Sequence, residues 1–363
     1  MKILYAIQGT GNGHLSRARD IVPLLQRKGE LDLIISGIQA DISLPYPIKY
    51  RFKGLSFIFG KKGGVDLMQT YRKSNMRRLL TEINRLPVED YDLIINDFEP
   101  VSAWACYIKS LPCISLSHQA AVLNKNAPRP KHVDMVGKAL LNYYAPVTER
   151  YGFHFKAYDH NIFTPVIRQQ VRELQPRNDG HYTVYLPAYD DSRIIKVLSA
   201  CRHARWQVFS KHNKYPFVEK NVSVSPVTND AFVNSLVGAE GVICGAGFET
   251  PAEALYLKKK LMVIPMKNQY EQSCNAAALK AMGVPVLKGL KKKYCDKINE
   301  WTLDDTVVGV DYPDNTSEII DDVVMTHGRP DQTIASRQPG IESFSTNKLR
   351  KASLKKILAY LAT

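Results

Sequence analysis

The chain has 363 residues, 45% of them hydrophobic, and a formal net charge of +14. That length suits two ordinary domains better than one core, and the apolar fraction excludes a disordered chain. No apolar run approaches the roughly 18 residues of a membrane-spanning helix, and no apolar segment with a cleavage site follows Met1, so neither a transmembrane helix nor a signal peptide is expected.

In chain order, near-continuous apolar runs predict strands at Lys2–Ile7, Asp32–Ser36, Asp92–Asn96 and Cys113–Leu116, with helices at Ser16–Lys28, Ser74–Leu86 and Val101–Ser110. Strands of that kind belong to a parallel sheet covered on both faces. A linker is expected within Asn161–Gly180, which contains Pro165 and Pro176. A second alternation then predicts strands at Tyr182–Leu186, Trp206–Phe209, Gly241–Cys244, Leu261–Ile264 and Pro285–Leu287. Its helices are predicted at Arg193–Ala200, Phe232–Val237, Pro251–Leu257 and Gln272–Met282. A polar loop, Arg329–Ser345, precedes an amphipathic helix at Lys348–Ala362. Such alternation predicts an α/β, doubly wound fold in each half.

Charge and cysteines narrow the setting. Residues 49–85 carry ten basic side chains against two acidic ones, a stretch that attracts an anionic acceptor, an anionic bilayer surface or another polyanion. Nucleic acid is not expected as partner, since neither a recognised motif nor a stacking ladder accompanies the charge. Cys106, Cys113, Cys201, Cys244, Cys274 and Cys295 form no CxxC pair, which predicts reduced thiols in a cytoplasmic protein.

Two glycine turns carry the chemistry. Gly9-Thr10-Gly11-Asn12-Gly13-His14 follows the first strand, and Gly245-Ala246-Gly247-Phe248-Glu249-Thr250 follows Gly241–Cys244. A strand, a glycine turn and a helix N-terminus aim backbone N–H groups at one spot, a seat for phosphate. The first turn has G-x-G-x-G spacing, and no acidic residue ends the second strand, so it does not fit the dinucleotide fingerprint. Gly11, Asn12 and Gly13 would let a substrate approach the backbone. His14, at the helix start, is expected to be neutral there and to serve as a general base, or else as a structural cap. Asp97, at a strand's carboxyl end, would orient it; the other reading makes Asp97 a helix cap, with Glu99 competing for either role. His118 and Gln119 end the next strand and would line the same mouth.

In the second turn Thr250 is expected to cap the helix, with Pro251 in its first turn. Backbone amides of Gly247, Phe248 and Glu249 would then grip a diphosphate. Glu253 would accept from ribose hydroxyls or would only favour the helix dipole. Gln269, Glu271 and Gln272 suit sugar hydroxyls.

Together these motifs, with Glu253-Ala254 after the second and Pro265, Gln269-Tyr270-Glu271-Gln272 and Asn275 beyond it, resemble the nucleotide-sugar glycosyltransferases of the GT-B fold. The resemblance is to the group containing the lipid-intermediate N-acetylglucosaminyltransferase MurG and the UDP-glucuronosyltransferase-like enzymes, and it covers essentially the whole chain. It implies two Rossmann-like domains facing across a cleft: an acceptor domain at 1–164, a donor domain at 165–342, and a helix within 343–363 packing back on the first. It makes His14 the base with Asp97 its partner. It sets Gly245, Gly247, Phe248, Glu249 and Thr250 at the donor diphosphate, Glu253 at ribose, and Gln269, Glu271 and Gln272 at the sugar. Gly11, Asn12, Gly13, His118 and Gln119 fall to the acceptor.

The expected activity is inverting transfer of a sugar, from a UDP-sugar above all, to an acceptor hydroxyl. The expected acceptor is anionic or lipid-linked, with the cytoplasmic protein peripheral on the inner membrane face. No cofactor and no metal are expected, because GT-B relatives use helix dipoles and basic groups for the leaving charge. The acidic pairs Asp190-Asp191 and Asp304-Asp305 are accordingly not read as a metal site. Relatives often have a glycine-rich loop after the donor domain's first strand; here it reads Leu186-Pro187-Ala188-Tyr189-Asp190-Asp191. The rival readings are a UDP-sugar 2-epimerase of similar fold and a non-catalytic nucleotide-sugar-binding protein.

Overall fold

The computed structural model describes residues 1–37, 44–55, 59–60, 64–65 and 76–328. The first sheet contains β1 (Lys2–Gln8), β2 (Glu30–Ser36), β3 (Tyr50–Phe52), β6 (Leu93–Asp97), β7 (Ile114–Ser117), β8 (Glu149–Phe153) and β9 (Ile162–Phe163); β4 (Phe59–Gly60) and β5 (Gly64–Val65) pair separately. The second contains β10 (His181–Tyr185), β11 (Trp206–Ser210), β12 (Phe217–Glu219), β13 (Val222–Pro226), β14 (Ala239–Cys244) and β15 (Lys260–Val263). The first half's helices are α1 (Gly13–Gln26), α2 (Met76–Arg85), α3 (Pro100–Lys109), α4 (His118–Val122), α5 (Met135–Tyr143) and α6 (Gln169–Arg172). Those of the second are α7 (Asp191–Leu198), α8 (Asn229–Gly238), α9 (Glu249–Tyr256), α10 (Tyr270–Ala281), α11 (Cys295–Leu303) and α12 (Thr316–His327).

The first sheet has the order β3-β2-β1-β6-β7-β8-β9, parallel throughout. The second runs β12-β13-β11-β10-β14-β15, parallel except for the edge strand β12. The direction of winding reverses between β1 and β6 and again between β10 and β14. Such a switch point opens a crevice outside the carboxyl ends of the strands. Both glycine turns leave strands that border a crevice of this kind.

Burial follows from the apolar runs. All five residues of β6 and six of the seven in β1 are buried, so both faces of each strand must be covered. Along β1 the side chains alternate: Ile3, Tyr5 and Ile7 join one core, Leu4 and Ala6 another. The first of these cores runs on without a break into the second lobe, through Val242, Phe248 and Leu255. The lobes therefore share apolar packing.

The predicted strands and helices of both halves are present with ends shifted by a few residues, except that Pro285–Leu287 forms only a bridge from Val286 to Val263. The short or mixed strands β3, β4, β5, β8, β9, β12 and β13 and the helices α4, α5, α6, α11 and α12 were not predicted; His118 and Gln119 open α4 after β7 ends at Ser117. Strands such as Glu149–Phe153 and Val222–Pro226 interleave charged, hydroxyl and apolar residues, so they lack the continuous run that marks a central strand. The segments Arg329–Ser345 and Lys348–Ala362, and with them the expected crossing helix in 343–363, lie outside the described residues. Within the described chain a crossing occurs earlier. Helix α12 packs on α1, with Lys28 Nζ 2.6 Å from Asp321 Oδ1 and Tyr151 Oη 3.0 Å from His327 Nε2.

Trp104 anchors the first lobe's other core: it is 2% exposed and its indole N–H donates to the Tyr144 carbonyl at 3.2 Å. Trp104→Ala should cost about 3–5 kcal/mol of unfolding free energy in urea titration; an unchanged midpoint would contradict its place in the core.

Candidate active site

The turn after β1 is shaped by contacts at Gly9 and Gly11. Gly9 donates its N–H to the Ser36 carbonyl at 2.7 Å, and a Cβ there would meet Ile35 at 2.8 Å. Gly11 takes φ +91°, a left-handed conformation that favours glycine, and no atom lies within 4 Å of where its Cβ would be. The chain then enters α1 at Gly13, putting His14 in the first helical turn. Ile7 lies beside Asp97 in the β1–β6 register, so the end of β6 is within reach of that turn. His14 Nδ1 is 2.9 Å from Asp97 Oδ1.

The choice between Asp97 and Glu99 is resolved by the backbone. Glu99 is the cap of α3, accepting from Val101 N at 2.7 Å and Ser102 N at 2.6 Å. Between the two acids Phe98 has φ +58°, a left-handed turn that sends one carboxylate to the helix and leaves the other at the strand mouth.

Arg17 was missed from the sequence. Its Nη2 donates to both Asp97 oxygens at 2.8 Å, and its Nη1 donates to Glu249 Oε1 at 2.6 Å. The signal was present: three residues after His14 on a helix is the same face. Burial alone would raise the Asp97 pKa, but the Arg17 and His14 charges outweigh it and hold the carboxyl below its ordinary range. Burial would lower His14; the charge of Asp97 and its hydrogen bond overcome this and raise the imidazole above its ordinary 6.5. The expected effect of the helix N-terminus on His14 is thus overridden by a carboxylate in direct contact. With Nδ1–H donated to Asp97, Nε2 has no hydrogen-bond partner among the described residues and can take a proton.

The second lobe presents α9 opposite. The expectation that Thr250 caps this helix is corrected: the helix begins at Glu249, Phe248 is the cap residue, and no side chain bonds the cap. Thr250, Gly245, Gly247 and Gln272 line a pocket of about 100 Å³ together with Pro187 and Met266. A Cβ on Gly247 would find nothing within 4 Å. Gln272 Oε1 accepts from Met266 N at 2.9 Å, and Gln269 caps α10 by accepting from Gln272 N at 2.9 Å.

Five residues reserved for substrate instead bond or pack against other parts of the protein in this structure. Glu253 is 3% exposed and takes a two-pronged ion pair from Arg168, at 2.5 and 2.8 Å, in place of an open ribose site. Phe248 stacks on His118 with ring centroids 3.9 Å apart and 5° between planes. His118 is buried, with Nδ1 2.8 Å from the Phe153 carbonyl and Nε2 2.8 Å from Asn275 Oδ1, so it does not line an open acceptor mouth. Burial pushes its pKa down. Gln119 donates to Glu271 Oε2 at 3.0 Å. Each of these partnerships is between residues far apart in sequence, which no local pattern reveals.

Among the described residues no three His, Cys, Asp or Glu side chains gather as metal ligands. Asp190 caps α7, and Asp191 accepts from Ser210 at 2.8 Å and from Asn213. Of the basic stretch, Lys61, Lys62, Arg72 and Lys73 lie outside the described residues; Lys49 pairs with Asp32 at 2.6 Å and Arg78 approaches Glu82 at 3.6 Å.

Residues 1–302 match the family described as glycosyl transferase family 1. The chain belongs to this family. Its architecture is similar to that of Phytolacca americana UGT2, solved with UDP-2fluoro-glucose and pterostilbene (TM-score 0.55, 12% identity, 99% of this chain and 98% of that one). It is similar also to the spinosyn forosaminyltransferase SpnP (TM-score 0.53, 12% identity, 99% of each chain) and to Acinetobacter baumannii MurG (TM-score 0.50, 14% identity, 92% of this chain and 98% of that one). At these identities the likeness is one of fold. No curated protein matches the chain. The protein is a GT-B glycosyltransferase, and its class of activity is sugar transfer from a nucleotide-sugar donor.

Because Asp97 raises the folded-state pKa of His14, the imidazole stabilises the fold most below its ordinary 6.5, and this contribution fades as pH rises through the raised value. Urea unfolding of the wild type and His14→Gln across this range should show a stability gap that is widest in acid and narrows in alkali. A gap that widens with pH would refute the assignment of the His14–Asp97 pair.

Proposed function

We propose that the protein is an inverting hexosyltransferase that takes its sugar from a uridine diphosphate donor, with His14 as the general base. The observation that supports this best is the pairing of His14 Nδ1 with a buried carboxylate at 2.9 Å, which leaves Nε2 to receive a proton. His14 Nε2 removes the acceptor hydroxyl's proton, and the oxygen attacks the anomeric carbon on the face opposite the nucleotide. The configuration inverts. The diphosphate leaves toward the N–H groups of Gly247, Phe248 and Glu249 at the start of α9, whose dipole favours the growing charge. Gln269, Glu271 and Gln272 then meet the sugar.

The uridine assignment draws on the fold shared with the Phytolacca americana protein, whose structure holds a UDP-sugar. An acceptor that is anionic or lipid-linked accords with the +14 charge and the ten basic residues of 49–85. The same charge favours peripheral attachment to an anionic membrane face; among the described residues no helix is long and apolar enough to cross a bilayer. Neither metal nor cofactor enters the proposed displacement.

Two variants test this reading. His14→Ala should lower kcat by about 10²–10⁴-fold while leaving donor affinity within a few-fold, and normal turnover would remove His14 from the mechanism. Gly247→Val, whose added methyls have space in the apo fold, should abolish donor binding in calorimetry without lowering the melting temperature. Retained donor affinity in this variant would move the donor elsewhere. Incubation with UDP-N-acetylglucosamine alone should yield no second sugar isomer.

A further inference from the structure

We infer that Glu249, held by Arg17, is a positioning residue through which the second lobe strengthens His14 as a base across the cleft. The inference rests on the proposed role of His14. Its geometry is independent of that role. Arg17 lies on α1, 2% exposed, with one nitrogen on Asp97 and the other on Glu249 Oε1 at 2.6 Å. Glu249 comes from the first turn of α9 in the other lobe, and its side chain is 25% exposed. Its carboxylate fits because residue 13 has no side chain: a Cβ on Gly13 would stand 2.5 Å from Glu249 Oε2. Gly13 and Arg17 together form a seat for an acid of the opposite lobe.

The charged groups around the imidazole then divide by element. Asp97 faces it from β6, Arg17 from its own helix and Glu249 from α9; the Tyr5 phenol on β1 completes the set near Asp97 and Arg17, its pKa raised well above 10.0 by burial first and then by Asp97. With the lobes together, two negative charges and one positive surround the ring. With Glu249 withdrawn, Asp97 alone opposes the Arg17 charge. An imidazolium formed during transfer is therefore favoured most while the cleft is shut, and the base weakens when the lobes part. Coulomb effects act in these directions on His14: Arg17 lowers its proton affinity and Glu249 raises it.

A graded series at position 249 tests this in the whole chain. The His14 ring is followed by NMR pH titration in wild type, Glu249→Asp, Glu249→Gln and Glu249→Lys, with its signal assigned by His14→Gln. The midpoint should fall from wild type to Gln and fall further to Lys, with Asp nearest the wild type. A contact that is only structural would not order the midpoints by charge. Coincident midpoints, or a rise in the Lys variant, would overturn the inference. The acid limb of kcat should move with the same order. If the midpoints shift but that limb stays fixed, the cross-cleft effect stands while His14 fails as the base, so the two claims fail separately.

Discussion

Asp97 is the charge on which the site is built. Its carboxylate has no exposed surface, and a bare carboxylate in a protein interior costs several kcal/mol. It stays ionised because the Arg17 guanidinium grips both oxygens and His14 adds a third donor. Those donors sit on one helix, three residues apart, and that helix begins only a short turn after the strand beside Asp97. The parallel β1–β6 register is thus what makes the cluster attainable. Moving the turn by a residue would rotate His14 and Arg17 off the shared face, leaving a buried acid without its partners.

The same cluster explains why the lobes meet where they do. Arg17 has more donors than Asp97 can use, and its spare nitrogen reaches Glu249 on the other side. Around this contact lie the Phe248–His118 stack, the Gln119–Glu271 bond and the Arg168–Glu253 pair. Asn275 bridges further, its Oδ1 beside His118 and its Nδ2 donating to the Ala246 carbonyl at 3.1 Å. The motif residues of α9 and α10 therefore also align the lobes.

The sequence disclosed the fold well where burial is two-sided. Runs such as Ile3–Ile7 and Leu93–Ile95 have no polar interruption, and their alternation with helices leaves few topologies. It was less informative at and beside the sheet edge, where β12 is exposed at every residue and β13 mixes buried and half-buried positions. At the site, His14 and Asp97 were legible because each follows a strand at its carboxyl end. Arg17 was legible in principle, from helical spacing, but a single arginine on a basic chain attracts no notice. The partners of Glu253 and His118 were not legible at all: Arg168 is 85 residues from Glu253 and Asn275 is 157 from His118. Thr250 misled for a different reason. A threonine before a proline is a strong start signal, yet the helix begins one residue before Thr250, at Glu249, whose carboxylate finds Arg17.

The two glycine turns look alike as sequence and differ in what they face. Gly9 is packed against β2, and Gly13 against the carboxylate of the opposite lobe, so these two glycines admit protein. Gly11 and Gly247 border open space. An added side chain at Gly13 would wedge the cleft, whereas one at Gly247 would fill it. The first turn is therefore chiefly a closing surface with one opening at Gly11, and the second is the one with room along its backbone. Under the proposed mechanism, a nucleotide diphosphate, which binds through close approach to successive amides, would find that approach at Gly247 and not at Gly13, so the sterics of the two turns support the proposed placement of donor and acceptor on opposite lobes.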